Sequence, residues 1–413
     1  MRKFFTKYID QIKSFKNPSQ YYVYRTKNFK KRLMYTVLFG NAFLIYQSRY
    51  NTDLIFNFAP TEQNIEIIKN CEKLNKGVYR ATFFLFHPLL MSIFGAKIDP
   101  SPYIRYQREF VDLKDGGHIS LDWAPIHNRY EDEDNMRVLI ILHGLTGGAH
   151  SNYMKHAALN GYRFGFRTVC INLRGIDSPM KNGNITDYRS SADLEQTIEF
   201  IQKKYPNANL YGMGISMGAN LLTKLAGEQK ENCKLKALVS ISNPWDVYGC
   251  EQVLKNGLGF IYNRNITSNF IRNFKRNYNE LKENLEKHNI DEQQIINAKN
   301  MIDFDEHFTK KLLDIDDISE YYKQSSCKNV VKDVKIPILA IQANDDPVCP
   351  PKLIPKEDIM KNENIILVTT EKGGHIDYFS GYKTKRWVYW PAMEYLNYVD
   401  KQLVTTKQIE SVD

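Results

Sequence analysis

From about residue 105 onward, short apolar runs alternate with stretches of helical spacing. Val138–Leu142, Thr168–Ile171, Ala237–Ile241, Ile336–Ile341 and Ile365–Val368 are continuous, largely apolar runs, and Leu210-Tyr211 is a shorter one. Runs without polar alternation belong to strands covered on both faces, as in a parallel sheet. Between them, Leu194, Ile198 and Ile201 fall on one helical face. Ahead of them, Arg108–Leu113 alternates, Asp115-Gly116-Gly117 supplies a turn, and His118–Trp123 alternates again, which predicts a hairpin. One connection is far too long: 94 residues separate Ile241 from Ile336. Within it Phe270, Phe274, Tyr278, Leu281 and Leu285 share a face of one long helix, so an inserted helical cap is predicted over 243–330. The expected architecture is α/β: a mostly parallel central sheet with helices on both faces, built from 61–242 and 331–403. Residues 404–413 read as a polar tail.

The first 60 residues follow a different pattern. Phe4, Tyr8, Ile12 and Phe15 recur at helical spacing among Lys3, Lys7, Lys13 and Lys16, the signature of a helix lying on an anionic membrane face. Lys30-Lys31-Arg32 then precede an apolar run from Leu33 to Tyr46. Fourteen helical residues reach about 21 Å, short of a hydrocarbon core of roughly 30 Å. The arm is therefore read as a membrane anchor or interfacial helix, with a core helix and an organellar targeting segment as the alternatives. A second apolar stretch, Ala81–Ala96, is interrupted by His87-Pro88 and is assigned to the globular body.

Charge sharpens the division. The chain of 413 residues carries a formal +9, but residues 1–50 hold eleven Lys/Arg against Asp10 alone. The remainder is close to neutral, which argues against nucleic acid as a partner and leaves a membrane surface for residues 1–50. A chain that is 43% hydrophobic and 25% charged is globular rather than disordered. Six cysteines without a CxxC pair point to free thiols in a reducing compartment. A charged stretch precedes the first apolar run, so no secretory signal is read. The expected location is membrane-associated and facing the cytoplasm, or cytoplasmic.

The candidate chemistry centres on Gly214-Ile215-Ser216-Met217-Gly218, between a strand at Ala208–Tyr211 and a helix at Asn220–Ala226. Gly-x-Ser-x-Gly at a strand-to-helix turn resembles the nucleophile elbow of the α/β-hydrolase fold. A serine hydroxyl needs a base, and the base needs a carboxylate to fix its tautomer. In that fold the order is serine, acid, histidine. Of nine histidines only His288, His307 and His375 follow Ser216, and the first two lie in the cap. His375, in Lys372-Gly373-Gly374-His375, is the expected base. Asp345 and Asp346 compete as the acid. Asp346, four residues before Pro350, is preferred, and Asp345 reads as a turn-capping residue. Backbone N–H groups of Met217 and Leu145, the latter in His143-Gly144-Leu145-Thr146-Gly147-Gly148, are the expected oxyanion donors. His143 and Arg174 are assigned structural roles. No HExxH, Cys/His cluster, dinucleotide fingerprint or Walker loop is present, so neither a metal nor a cofactor is expected. The acidic stretch Asp303, Asp305, Glu306, Asp314, Asp316 and Asp317 is read as a solvated face of the cap rather than a calcium loop.

From about residue 65 to 400 the chain resembles the YheT-like abhydrolase family. The likeness rests on Tyr79-Arg80-Ala81-Thr82-Phe83, Leu121-Asp122-Trp123, His143–Gly148, Gly214–Asn220, Asn243-Pro244-Trp245-Asp246, Asp345-Asp346-Pro347 and Gly373-Gly374-His375. It implies hydrolysis of carboxylic esters with lipid-like acyl chains (acylglycerol, phospholipid or medium-chain esters) through an acyl-enzyme on Ser216. Two other activities remain open on the same fold: alcohol O-acyl transfer by the same triad, and an inactive membrane-associated binding protein. Phe86–Ser92 departs from the family pattern in a segment that shapes the pocket rather than the chemistry.

Overall fold

The computed structural model describes residues 31, 33–38, 51–125 and 136–410, with residue 51 and residues 404–410 as backbone only. The chain divides into two compact units, Met1–Asn51 and Thr52–Asp413. In the first, residues 31 and 33–38 are helical, and Leu33, Met34, Tyr35 and Leu38 are exposed. The amphipathic pattern from Phe4 to Phe15 and the run beyond residue 38 lie outside the described residues. Among the described residues no helix is long and apolar enough to cross a membrane.

The second unit is built on a nine-stranded sheet. Its strands are β1 (Ile55–Phe58), β2 (Gln107–Asp112), β3 (His118–Trp123), β4 (Arg137–Leu142), β5 (Arg167–Asn172), β6 (Asn209–Ile215), β7 (Leu235–Ile241), β8 (Ile338–Ala343) and β9 (Ile365–Thr370). Their spatial order is β1-β9-β8-β7-β6-β4-β5-β3-β2. The six strands from β9 to β5 are parallel, as their continuous apolar runs require. The β2–β3 hairpin and β1 close the two edges antiparallel. The core packs on both sheet faces, with Val138, Ile140 and Leu142 in one contiguous cluster with Leu210, Leu238 and Ile338.

Strand β1 corrects the expected boundary of the N-terminal arm, since residues 55–58 pair with β9 (Val368 opposite Phe56). Four residues with an asparagine among them carry too little alternation to announce a strand; the partner's open edge decides the conformation. Nearby, Asn64 Nδ2 donates to Glu363 O (2.9 Å) and Tyr79 Oη donates to Phe379 O (2.7 Å), tying the start of the unit to its end.

The helices used below are α1 (Pro88–Lys97), α2 (Asn152–Arg163), α3 (Ala192–Lys204), α4 (Met217–Gln229), α5 (Val247–Val253), α6 (Gly257–Arg276), α7 (Tyr278–Lys287), α8 (Met301–His307), α9 (Ile318–Gln324) and α10 (Tyr389–Glu410). The break in Ala81–Ala96 becomes the start of α1: the His87 ring accepts from Leu89 N and Pro88 occupies the first turn. In α3, Leu194, Ile198 and Ile201 face inward, with acids in the first turn and lysines in the last to match the helix dipole. Residues 404–410 continue α10 rather than forming the expected tail; polar residues with no breaker simply prolong the helix.

Between β7 and β8 the chain is largely helical, from α5 to α9. The single long helix expected from Phe270 to Leu285 is two, α6 and α7, joined at Asn277. Asn277 is fully buried, and its side chain bonds outward, donating to Gly175 O (3.0 Å) and accepting from Met180 N (3.0 Å). An amide that serves another loop leaves the helical path without breaking the shared apolar face: Phe274, Leu281 and Leu285 still pack together with Phe304 and Phe308.

Candidate active site

Strand β4 lies between β5 and β6, so the chain reverses its direction of winding there. Loops leaving β4 and β6 at their carboxyl ends diverge and open a crevice, the usual ligand position in an open parallel sheet. Ser216 stands between β6 and α4, at the N-cap of the helix. Its φ of 55° and ψ of −124° are strained for a residue with a Cβ. The surroundings hold it: Ser216 N donates to Ile241 O (2.9 Å), and Ala219 N and Asn220 N donate to Ser216 O (2.8 and 3.2 Å). The flanking glycines are sterically required. A Cβ on Gly214 would stand 2.5 Å from Ala219 N, and one on Gly218 would stand 2.5 Å from His143 O.

The three residues expected to act together are brought together. Ser216 Oγ lies 2.8 Å from His375 Nε2. His375 Nδ1 lies 2.9 Å from Asp346 Oδ2 and 3.1 Å from Oδ1. With the Asp346 carboxylate on that side, Nδ1 carries the proton and Nε2 is free to accept from the serine. Asp346 Oδ1 also accepts from Val348 N (2.8 Å) and Cys349 N (2.9 Å), which locks the carboxylate. Burial pulls the His375 imidazole down, but Asp346, helped by Asp377, outweighs it, and the net shift is upward from 6.5.

Asp345 points elsewhere. Its Oδ1 accepts from Gly374 N (2.9 Å), so it anchors the Gly373-Gly374 turn that carries His375. Gly374 has φ of +60°, a conformation an L-residue enters only with strain. Burial raises the Asp345 carboxyl, against the opposing pull of Gly374 N–H and Lys372.

Leu145 and Met217 both border the cavity that contains Ser216 and His375. Among the described residues neither backbone N–H has a hydrogen-bond acceptor. His143 is fully buried; its ring accepts from Leu173 N (3.1 Å) and contacts Gly144 O (2.6 Å), and burial lowers its pKa, so it is a neutral brace for the loop that carries Leu145. Arg174 bonds Asp193 (2.6 and 2.7 Å) and Asp115 (2.7 Å).

Two cavities share wall residues at this point. One of about 420 Å³ contains Ser216 and His375 and extends to α1, Glu251, Tyr262 and Ile266. The other, about 390 Å³, lies among α6, α8 and the 173–188 loop and does not reach Ser216 or His375. Leu145 and Met217 line both.

Some residues at the site carried no sequence signal. Arg386 and Asp377 border the triad cavity, buried and paired at 3.4 Å, and Arg386 Nε also donates to Asp99 Oδ2 (2.7 Å). They come from segments up to 287 residues apart. The only trace was Gly95, a glycine in a helix interior: a Cβ there would stand 2.9 Å from Arg386 Nη2. Asp305 corrects the reading of the acidic stretch as solvated. It is buried, accepts from Thr309 Oγ1 and Tyr322 Oη, and burial lifts its carboxyl to about 6. Among the described residues one trio of metal-competent side chains stands together, Asp346, Cys349 and His375. The carboxylate and imidazole atoms of that trio are already engaged with one another and with Ser216.

The family model for the alpha/beta hydrolase fold matches residues 137–382. The chain is similar to embryogenesis-associated protein EMB8 of Picea glauca, 31% identical over 81% of this chain and 75% of that protein. It is similar to phospholipase ABHD3 of Mus musculus, 30% identical over 74% of this chain and 73% of that one. It is also similar to a monoacylglycerol lipase of Saccharomyces cerevisiae, 29% identical over 66% and 62%.

Proposed function

We propose that this chain, which belongs to the α/β-hydrolase family and is a carboxylic ester hydrolase, cleaves lipid esters through an acyl-enzyme formed on Ser216. The observation that carries the reading is the unbroken run of hydrogen bonds from Ser216 Oγ through His375 to Asp346 at the wall of a cavity. His375 Nε2 takes the Ser216 proton as Oγ attacks the ester carbonyl, and Asp346 stabilises the imidazolium. The N–H groups of Leu145 and Met217 hold the oxyanion; Met217 stands at the N-terminus of α4, where the helix dipole favours negative charge. His375 then returns the proton to the departing alcohol. Water repeats the sequence on the acyl-enzyme and releases the acid.

The lipid assignment is supported by the phospholipase and the monoacylglycerol lipase among the relatives and by the apolar cavity walls. The +10 carried by residues 1–50 and the exposed Leu33, Met34 and Leu38 support binding of that arm to an anionic membrane surface. The six unpaired cysteines support the cytoplasmic side.

The test is turnover of a chromogenic ester series together with fluorophosphonate labelling. Ser216→Ala is expected to abolish labelling and to lower kcat by about 10⁴-fold or more. Ester hydrolysis that survives in Ser216→Ala would refute the acyl-enzyme.

A further inference from the structure

The two cavities are not equivalent to a reacting ester, and the proposed acyl-enzyme chemistry dictates which part goes where. His375 must give its proton to the departing alcohol oxygen, so the alcohol lies on the side of the nucleophile where His375 stands. The carbonyl oxygen lies between the Leu145 and Met217 N–H groups. The acyl chain then leaves the carbonyl carbon away from His375, past Leu145 and Met217. His375 borders only the 420 Å³ cavity, and Leu145 and Met217 border both.

We infer that the 390 Å³ cavity is the binding site for an aliphatic acyl chain and that the triad cavity receives a polar alcohol. Phe270, Phe274, Phe304 and Phe308 form a continuous aromatic wall of the acyl site, with ring centroids 5.1–5.4 Å apart from Phe270 to Phe304, Phe304 to Phe308 and Phe308 to Phe274. Ile185 and Met180 face the same space. The charged groups in that lining are already occupied or point outward. Asp305 is closed off by Thr309 and Tyr322, Arg174 by Asp115 and Asp193, and Asp177 by His150 (3.1 Å). Arg272 and Arg276 stand on the exposed side of α6. Hydrocarbon is thus the ligand chemistry this site matches. The triad cavity is apolar over most of its wall as well, but it adds polar groups that the acyl site lacks a free counterpart for. It offers Tyr262 Oη, hydrogen-bonded to Ser92 Oγ (2.9 Å), and Glu251, a buried carboxylate with one oxygen unpartnered among the described residues. Both suit hydroxyl or cationic groups on an alcohol rather than a methylene chain.

This inference rests on the acyl-enzyme reading, and one experiment separates the two. kcat/KM is measured on p-nitrophenyl acetate, butanoate, octanoate and palmitate for wild type, Ile185→Trp, Phe304→Leu and Ile266→Trp. Ile185→Trp fills the acyl site and is expected to lower the octanoate-to-acetate ratio at least tenfold. Phe304→Leu enlarges the site and is expected to raise the palmitate-to-octanoate ratio, so the assignment stays testable if the tryptophan variant does not fold. Ile266 borders only the triad cavity, and its variant is expected to keep the chain-length profile of wild type. A profile that shifts with Ile266→Trp, or with none of the three, overturns the acyl-site assignment. Failure of wild type to hydrolyse any ester or to take a fluorophosphonate overturns the hydrolase reading instead.

Discussion

Asp346→Asn isolates the part of the site that sets the proton inventory. Asp346 Oδ1 is held by Val348 N and Cys349 N (2.8 and 2.9 Å), and Oδ2 faces His375 Nδ1 at 2.9 Å. An asparagine keeps its oxygen on the two backbone donors and therefore turns its NH₂ toward Nδ1. The imidazole must answer with a lone pair at Nδ1, which moves its proton to Nε2, the atom that should accept from Ser216. A wrong tautomer of this kind lowers kcat by about 10⁴, or about 5.5 kcal/mol in the barrier. The same change removes the charge that outweighs burial at His375. The acid limb of kcat/KM, which reports this raised imidazole in the wild type, should then move to lower pH. The pH dependence of stability should change with it. In the wild type the folded-state imidazole pKa is raised, so its contribution is fully present below 6.5 and is lost as pH rises through the folded value. In the variant burial is opposed by Asp377 alone, so the folded imidazole holds its proton less readily than in the wild type and that loss of stability with rising pH is diminished. The measurements are pH–rate profiles on a chromogenic ester and melting temperature against pH. Asp345→Asn is the control, because its oxygen can still accept from Gly374 N and the expected loss is within about tenfold. Near-wild-type kcat in Asp346→Asn with an unmoved acid limb would refute the assigned roles.

Three further outcomes follow from the packing and titration of the fold. Gly218→Ala places a methyl against the Leu142 and His143 carbonyls (2.5 Å from the latter), backbone that cannot rotate away, and should cost about 3 kcal/mol or more, seen as lost soluble yield or a lower melting temperature. Asp305, with its carboxyl lifted from 3.8 to about 6, contributes stability below pH 3.8 that is lost as pH rises to about 6, so Asp305→Asn should flatten that fall, read by chemical denaturation across this pH range. All six cysteines are buried, and burial raises the thiols of Cys71, Cys170, Cys327 and Cys349; a disulfide reagent should therefore find no fast-reacting thiol in the native protein and six in guanidinium chloride.

The sequence disclosed most where a residue's role depends on its own neighbours. The central strands were legible because burial on both faces leaves few polar residues to confuse the pattern, and Ser216 because the elbow demands glycines at fixed offsets. His375 and Asp346 were legible because chain order leaves few candidates. What stayed hidden depends on partners distant in sequence. Strand β1 is a strand only because β9 offers it an edge. The break at Asn277 exists because its amide serves Gly175 and Met180, which no local pattern records. Asp305 appears solvated by composition and is buried because Thr309 and Tyr322 supply its hydrogen bonds. The Arg386–Asp377–Asp99 cluster joins three segments that share no motif.

The pairing of β1 with β9 also sets a clock on biosynthesis. Its supporting bonds, Asn64 to Glu363 and Tyr79 to Phe379, span 299 and 300 residues. A ribosome adding 5–20 residues per second needs about 15–60 s to cover that distance. For that interval the nascent chain holds an edge segment, Ile55–Phe58, whose partner strand has not been made. The sheet can be sealed only after β9 has left the ribosome and meets β1. Loss of the segment from β9 onward removes His375 and strands the amino-terminal edge at once, so premature termination leaves an unpaired β-strand as well as an inactive site.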